Sequence, residues 1–196
     1  MFPKMLPKIL VFAGSVRTGS YNARLAARAV KELVQAGADV TWISLVDYPL
    51  PLYDGDRESS AGLPENARKL KQLIMAHHGV LILSPEYNAS IPPILKNALD
   101  WISRVRDRHE APLAVYQNRV FALGAASDRA SGGMYALLAL RQALEIGCGA
   151  LVLPEQIVVP RASDAFDDMD NLRDGQTAEQ FQTVVNRLIA TAQELA

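Results

Sequence analysis

Cysteine is almost absent from this chain of 196 residues: Cys148 stands alone, so no internal disulfide can form and thiolates by themselves cannot build a zinc site. A reducing compartment fits. Charge of one sign is missing too, because 20 Lys and Arg against 21 Asp and Glu give a formal net charge of -1. That balance argues against a chain built mainly to bind nucleic acid or an anionic membrane, and points to small molecules or a second copy as partners. Long apolar runs are lacking: Ile9 to Ala13, behind a segment with Pro3, Lys4, Pro7 and Lys8, falls far short of the ~20 residues a membrane helix needs. We therefore expect a cytoplasmic protein. Neither a phosphate loop ending in Gly-Lys-Ser/Thr nor a Gly-x-Gly-x-x-Gly fingerprint occurs, which disfavours nucleoside triphosphates and ordinary dinucleotides. Aromatic residues make up only 7% of the chain, so each ring in a loop carries information.

What is present is ordinary for a globular protein: 49% hydrophobic and 21% charged residues, with no repeat, linker or low-complexity tract, hence one domain over residues 1–196. Lys8-Ile-Leu-Val-Phe-Ala-Gly14 is a short apolar run with branched residues, as in a strand covered on both faces. From Asn22 the pattern turns helical: Leu25, Ala26, Ala29, Val30, Leu33 and Val34 share one side, with Arg24, Arg28, Lys31 and Glu32 opposite. A strand over 39–45, a loop over 47–62 and a helix over 64–77 follow. Gly79 to Ser84 repeats the buried-strand pattern, and Pro92 and Pro93 sit in the first turn of a helix running through Trp101 to about Arg104. Strands over 119–125 and 149–153 and helices over 134–146 and 177–195 complete the chain. Gly37, Gly79 and Gly147 fall where helix hands over to strand. Strand–helix alternation implies a parallel sheet with helices on both faces, and five strands suit the smaller doubly wound α/β fold of order 2-1-3-4-5. Its ligands lie beyond the carboxyl ends of the strands where the order reverses, so the loops after the first and third strands matter most.

The first of these, Gly14-Ser15-Val16-Arg17-Thr18-Gly19-Ser20-Tyr21-Asn22, offers bare amides, the positive end of a helix dipole, hydroxyl and amide donors, and one guanidinium. A phosphomonoester is its natural guest; the competing possibility is that Ser20 or Asn22 merely caps the helix and Arg17 is solvated. The second, Ser84-Pro85-Glu86-Tyr87-Asn88-Ala89-Ser90, sets one aromatic among backbone-rich neighbours, where a planar ring could rest; otherwise it is a plain turn.

Together these loops resemble the NAD(P)H-dependent FMN reductase family, which is flavodoxin-like and includes chromate and quinone reductases. Its Gly-Ser-x-Arg-x-x-Ser-x-Asn-x-x-Leu-Ala signature is matched from Gly14 to Ala26. Its Pro-Glu-Tyr-Asn-x-Ser block with a following Leu-Lys-Asn-Ala-x-Asp-Trp helix is matched by residues 85–90 and 95–101. Similarity continues through Ser127, Gly132-Gly133, Leu140-Arg141, Leu153-Pro154 and Ala165-Phe166-Asp167. The resemblance implies that Ser15, Arg17, Ser20 and Asn22 hold the FMN phosphate, with Tyr21 also in the cofactor-binding set. It implies that Pro85, Glu86, Tyr87 and Asn88 border the isoalloxazine and that Ser127 stands near the ribityl chain or ring. Pro93 and Arg129 depart from the family pattern, each standing where relatives often have Gly.

The implied activity is an FMN-dependent NAD(P)H oxidoreductase: NADPH or NADH gives hydride to the flavin N5, and a quinone, azo compound, chromate or flavin then takes electrons in a ping-pong cycle. No catalytic side chain and no metal ligand is expected, since the flavin carries the redox chemistry. A homodimer or homotetramer is implied, with helix faces around Leu95–Trp101 and Met134–Leu144 able to pair subunits. The alternative is a flavodoxin-like electron carrier without substrate turnover, though carriers of that kind are usually strongly acidic. A phospho-receiver would want acids after the first strand and an Asp ending the third; Gly14-Ser15 and Ser84-Pro85 stand there instead. His77 and His78 read as helix-end residues, Cys148 as packing, Trp101 as core or subunit contact, and Asp164, Asp167, Asp168 and Asp170 as a solvated connection.

Overall fold

Successive side chains in the central strands go to opposite helical layers. In β1 (Lys8–Ala13), Ile9, Val11 and Ala13 join one core while Leu10 and Phe12 join the other; β3 (Gly79–Leu83) and β4 (Val120–Ser127) divide likewise. Burial on both faces is why these segments read as unbroken apolar runs. The computed structural model describes residues 6–196 and holds the strands in a parallel sheet of order β2-β1-β3-β4-β5, with β2 at Asp39–Ser44 and β5 at Leu151–Pro160. The α/β class and strand order are as expected. Residues 1–5, which open the N-terminal segment weighed above as a membrane or leader candidate, lie outside the described residues. Among the described residues, no helix is long and apolar enough to cross a membrane.

One face is covered by α1 (Tyr21–Gln35) and by α7 (Gly175–Glu194), whose Phe181, Val184, Val185 and Leu188 are buried. The other is covered by α3 (Glu65–Met75), α4 (Pro93–Arg104) and α5 (Met134–Gln142). Two short helices were not foreseen: α2 (Gly55–Ala61), inside the segment read as a loop, and α6 (Ala162–Ala165). α2 buries no residue, so it has no apolar stripe to read; its signal was Asp54, whose Oδ1 accepts from the Asp56 amide at 2.8 Å.

Other expectations are corrected in detail. β5 runs well past its predicted end because the pairing slips: Phe121 faces Val152 but Leu123 faces Gln156, so Pro154, which has no N–H for the ladder, sits at an irregularity. Gly79 opens β3 for reasons of packing rather than capping, since a Cβ there would come within 2.8 Å of Ile9 Cδ1 and 3.0 Å of Leu188 Cδ1. Leu95 and Trp101 are fully buried within the chain, so what α4 leaves open over this stretch is its outer side, with Pro93 and Lys96 exposed. The Trp101 indole donates to the Pro51 carbonyl at 2.7 Å and meets Tyr53 edge-on at 5.0 Å. His77 is bonded through its ring nitrogens to the Leu73 carbonyl (2.6 Å) and Thr41 Oγ1 (2.8 Å), and His78 Nδ1 accepts from the Lys8 amide, so both serve the fold. Cys148 is buried, and that burial pushes its thiol up from the ordinary range, as suits packing rather than reactivity.

A buried lysine fastens the segment after α4. Lys71, only 2% exposed, binds Asp107 at 2.7 Å and also Glu110. Burial pulls its ammonium down, but hydrogen bonds to the two carboxylates hold it above its ordinary value. Asp107 is held low by the Lys71 hydrogen bond; Glu110 is held low by the Asp107 amide and then by Lys71. Depressed carboxylates contribute stability above their unfolded pKa and lose it as pH falls through the folded one. The contribution is therefore expected to fade below about pH 4. Chemical denaturation at neutral and acid pH should show the acid loss of stability shrinking in Lys71→Met; an unchanged acid loss would contradict this role.

Candidate functional site

Three loops leave the sheet side by side. The ladder is carried one residue past β1 and β3, with the Gly14 amide donating to Leu83 (2.8 Å) and the Ser84 amide to Gly124 (2.7 Å). The segments following β1, β3 and β4 therefore emerge abreast at the carboxyl edge, where this architecture takes ligands.

In the β1 loop, Arg17 and Thr18 are exposed, Ser15 is half-buried and Ser20 is 4% exposed. The capping alternative for Ser20 is not met. It occupies the cap position in extended conformation, yet its side chain makes no capping bond; its carbonyl accepts instead from Ala23 (3.0 Å) and Arg24 (3.1 Å). The Ser20 hydroxyl and the first-turn amides of Tyr21 and Asn22 remain as donors, since such amides have no partner within the helix. Arg17 makes no ion pair among the described residues, although Arg24 and Arg28 on the same side of the fold do. Unspent donors, one free guanidinium and a helix N-terminus make a donor set that fits a phosphate group.

Asn22 does something other than expected. It is 2% exposed, its Nδ2 donates to the Ala126 carbonyl at 2.9 Å and its Oδ1 accepts from the Ala126 amide at 3.0 Å. The side chain is committed to β4, and what Asn22 can offer an anion is its main-chain amide. The bond ties the β1 loop to the end of β4, immediately before Ser127. Ser127 Oγ accepts from the Arg129 amide at 3.3 Å, so the departure at Arg129 leaves that backbone turn intact and puts only a side chain at the surface.

The β3 loop is a tight hairpin. Tyr87 and Ser90 exchange amide-to-carbonyl bonds of 2.9 and 3.0 Å, and the residues between them, Asn88 (φ 51°) and Ala89 (φ 60°), are both left-handed, as a two-residue type I′ turn demands. Asn tolerates this conformation; for Ala it costs roughly 1–2 kcal/mol. The hairpin leaves Tyr87 48% exposed. Glu86 Oε2 accepts from the Tyr135 amide at 3.1 Å, joining this loop to the start of α5. The bond brings Tyr135, 54% exposed, to the base of this hairpin. It was missed in the sequence, where its only signal is an aromatic near a helix start in a chain poor in rings. Pro93 takes the first position of α4, where a preset φ helps and no donor is needed, so this departure is accommodated.

Two hollows border the β1 loop. One of about 410 Å³ is lined by Ser15, Ala23, Trp42 and Tyr48; the other, of about 340 Å³, by Val16, Val46, Tyr48 and Ile94. The acidic run is less solvated than expected: Asp170 pairs with Arg24 at 2.6 Å, and Asp167 Oδ1 accepts from the Met169 (2.9 Å) and Asn171 (2.8 Å) amides. That last arrangement, led by the Asn171 side-chain bond, holds the Asp167 carboxyl below its usual range.

Comparison with known proteins gives the family. The sequence model of the family described as NADPH-dependent FMN reductase matches residues 7–164. A quinone reductase of Escherichia coli (strain K12) is 39% identical over 108 residues, 55% of this chain and 54% of that one, so the match spans about half the length of that relative. An NAD(P)H-dependent FMN reductase of Pseudomonas aeruginosa is 33% identical over 183 residues, 92% of each chain. Among solved structures, the flavoenzyme NAD(P)H:(acceptor) oxidoreductase FerB from Paracoccus denitrificans superposes with a TM-score of 0.76 at 26% identity, covering 96% of this chain and 98% of that chain.

The strained turn gives a direct check on the β3 loop. Ala89→Gly should stabilise the protein by roughly 0.5–1 kcal/mol, the relief of left-handed strain exceeding the added freedom of the unfolded chain. Urea denaturation measures this, and a destabilised variant would contradict the left-handed turn.

Proposed function

Because the chain belongs to the NADPH-dependent FMN reductase family, we propose that it is an FMN-dependent NAD(P)H oxidoreductase, with the flavin phosphate in the β1 loop and the ring against the β3 loop. The observation that carries this reading is the alignment, on one sheet edge, of unspent phosphate donors beside an exposed aromatic hairpin. Held there, FMN would supply the redox chemistry: hydride transfer from NADPH or NADH to its N5, then electron transfer to an acceptor, in a ping-pong cycle.

The chain's own part is to bind and orient. Ser15 and Ser20 offer hydroxyl donors, Arg17 a guanidinium, and Tyr21 and Asn22 main-chain amides, with the α1 dipole adding to the attraction for an anion. The main chain of Pro85, Glu86, Tyr87 and Asn88 borders the ring, with the Tyr87 side chain as one wall, and Ser127 stands toward the ribityl chain. No side chain needs to act as acid, base or nucleophile, and no metal is required. The exposure of the hairpin favours small acceptors arriving from solvent: quinones first, then azo compounds, chromate or free flavin. A homodimer or homotetramer remains our expectation. Its support comes from Tyr135, Leu138 and Ile146 along and beyond α5, which are 54%, 54% and 81% exposed, beside the outer side of α4 at Pro93 and Lys96. We assign the protein to the cytoplasm on its lone, buried cysteine.

Fluorescence titration with FMN tests the phosphate half. Arg17→Ala with Ser20→Ala should weaken binding about 10- to 100-fold while leaving the apoprotein melting temperature nearly unchanged; unchanged affinity would contradict the assignment. Turnover is tested by adding NADPH or NADH to FMN-loaded protein without oxygen. Bleaching of the flavin, followed by nicotinamide consumption when quinone is supplied, is the expected result; a flavin that stays oxidised would favour the electron carrier.

A further inference from the structure

The start of α5 lacks a cap of its own. Its cap residue, Gly133, has φ 91°, and a Cβ there would stand 2.6 Å from the Ala125 Cβ; one on Gly132 would meet Val158 Cγ1 at 2.5 Å and the Pro160 nitrogen at 2.9 Å. The β4–α5 connection is pressed so closely onto the sheet that these two positions admit no capping side chain. A helix start nonetheless needs acceptors for its first amides. One is supplied from 49 residues away, where Glu86 Oε2 takes the Tyr135 amide, and a carboxylate in that place also complements the helix dipole.

Glu86 immediately precedes Tyr87, the ring-side residue of the proposed site. The hairpin beyond it is closed only by its own Tyr87–Ser90 bonds and carries the left-handed Asn88 and Ala89. At the base of this hairpin, the Glu86 side chain is the group that reaches another element. Resting on the flavin reading above, we propose that Glu86 is a positioning residue: its carboxylate caps α5 and, through that bond, fixes the direction in which Tyr87 leaves the sheet. The contribution of its carboxylate to the ring half of the site passes through the Tyr135 amide rather than through contact of that carboxylate with the flavin. Asn22 holds the phosphate half to the same segment, through Ala126, so the two halves share the β4–α5 connection as their common support.

The test compares Glu86→Ala, Glu86→Gln and Glu86→Asp with the wild-type protein, titrating each with FMN, with riboflavin, and with inorganic phosphate in competition with FMN. Gln keeps an acceptor of the same reach without the charge; Asp keeps the charge but falls short of Tyr135. Glu86→Ala should weaken FMN and riboflavin by the same factor, about fivefold to tenfold for one charge-assisted bond, and leave inorganic phosphate unchanged. Glu86→Gln should stay within about twofold of wild type, since one neutral acceptor replaces a charged one. Glu86→Asp should behave as the Ala variant, and it carries the test if the Ala variant fails to fold. Wild-type affinity in Glu86→Ala or Glu86→Asp, or a Gln variant as weak as Ala, overturns the positioning role while leaving the flavin site standing. A wild-type protein that binds no FMN overturns the flavin reading and this inference with it.

Discussion

Everything at the candidate site depends on the parallel ladder β1–β3–β4, in which both faces of each strand are buried. Parallel strands point their carboxyl ends the same way, so the segments that follow them must share one edge. The ladder reaches beyond the strands themselves, to the Gly14 and Ser84 amides, which brings the starts of the β1 and β3 loops level before either turns away. Two unrelated stretches of sequence, one rich in anion donors and one bearing an exposed tyrosine, become a single surface because of this constraint and not through any attraction between them.

The loops are then held by side chains that reach backbone far away in sequence. Asn22 forms a closed pair of bonds with the Ala126 peptide, and Glu86 takes an amide at the start of α5. The first is buried, where an unpaired partner costs most; the second is exposed and correspondingly weaker. On the reading proposed above, this grading gives the phosphate end of the site the firmer anchor and the ring end the weaker one.

The strands and their order were legible because burial on both faces leaves a continuous apolar signature, and the main helices because their stripes recur at helical spacing. What escaped notice had no such signature. α2 buries nothing, and β5 passes Pro154 by a slip in pairing that depends on its neighbour. The two loops stood out by composition, and the structure brings their starts, with Ser15 and Ser84, to one sheet edge. The work of Asn22 and Glu86 was not legible, because their partners lie 104 and 49 residues away and are main-chain groups, which no pattern of residue types records. The aspartates after β5 looked solvated for the same reason, since the arginine that holds Asp170 is Arg24 on α1.

The central claim is that the edge formed by the β1, β3 and β4 loops holds FMN. The most direct measurement is the visible absorption spectrum of the purified protein after incubation with FMN and removal of free ligand. The account predicts retained flavin bands, shifted from those of free FMN, at one flavin per chain. A protein that comes through colourless would contradict it.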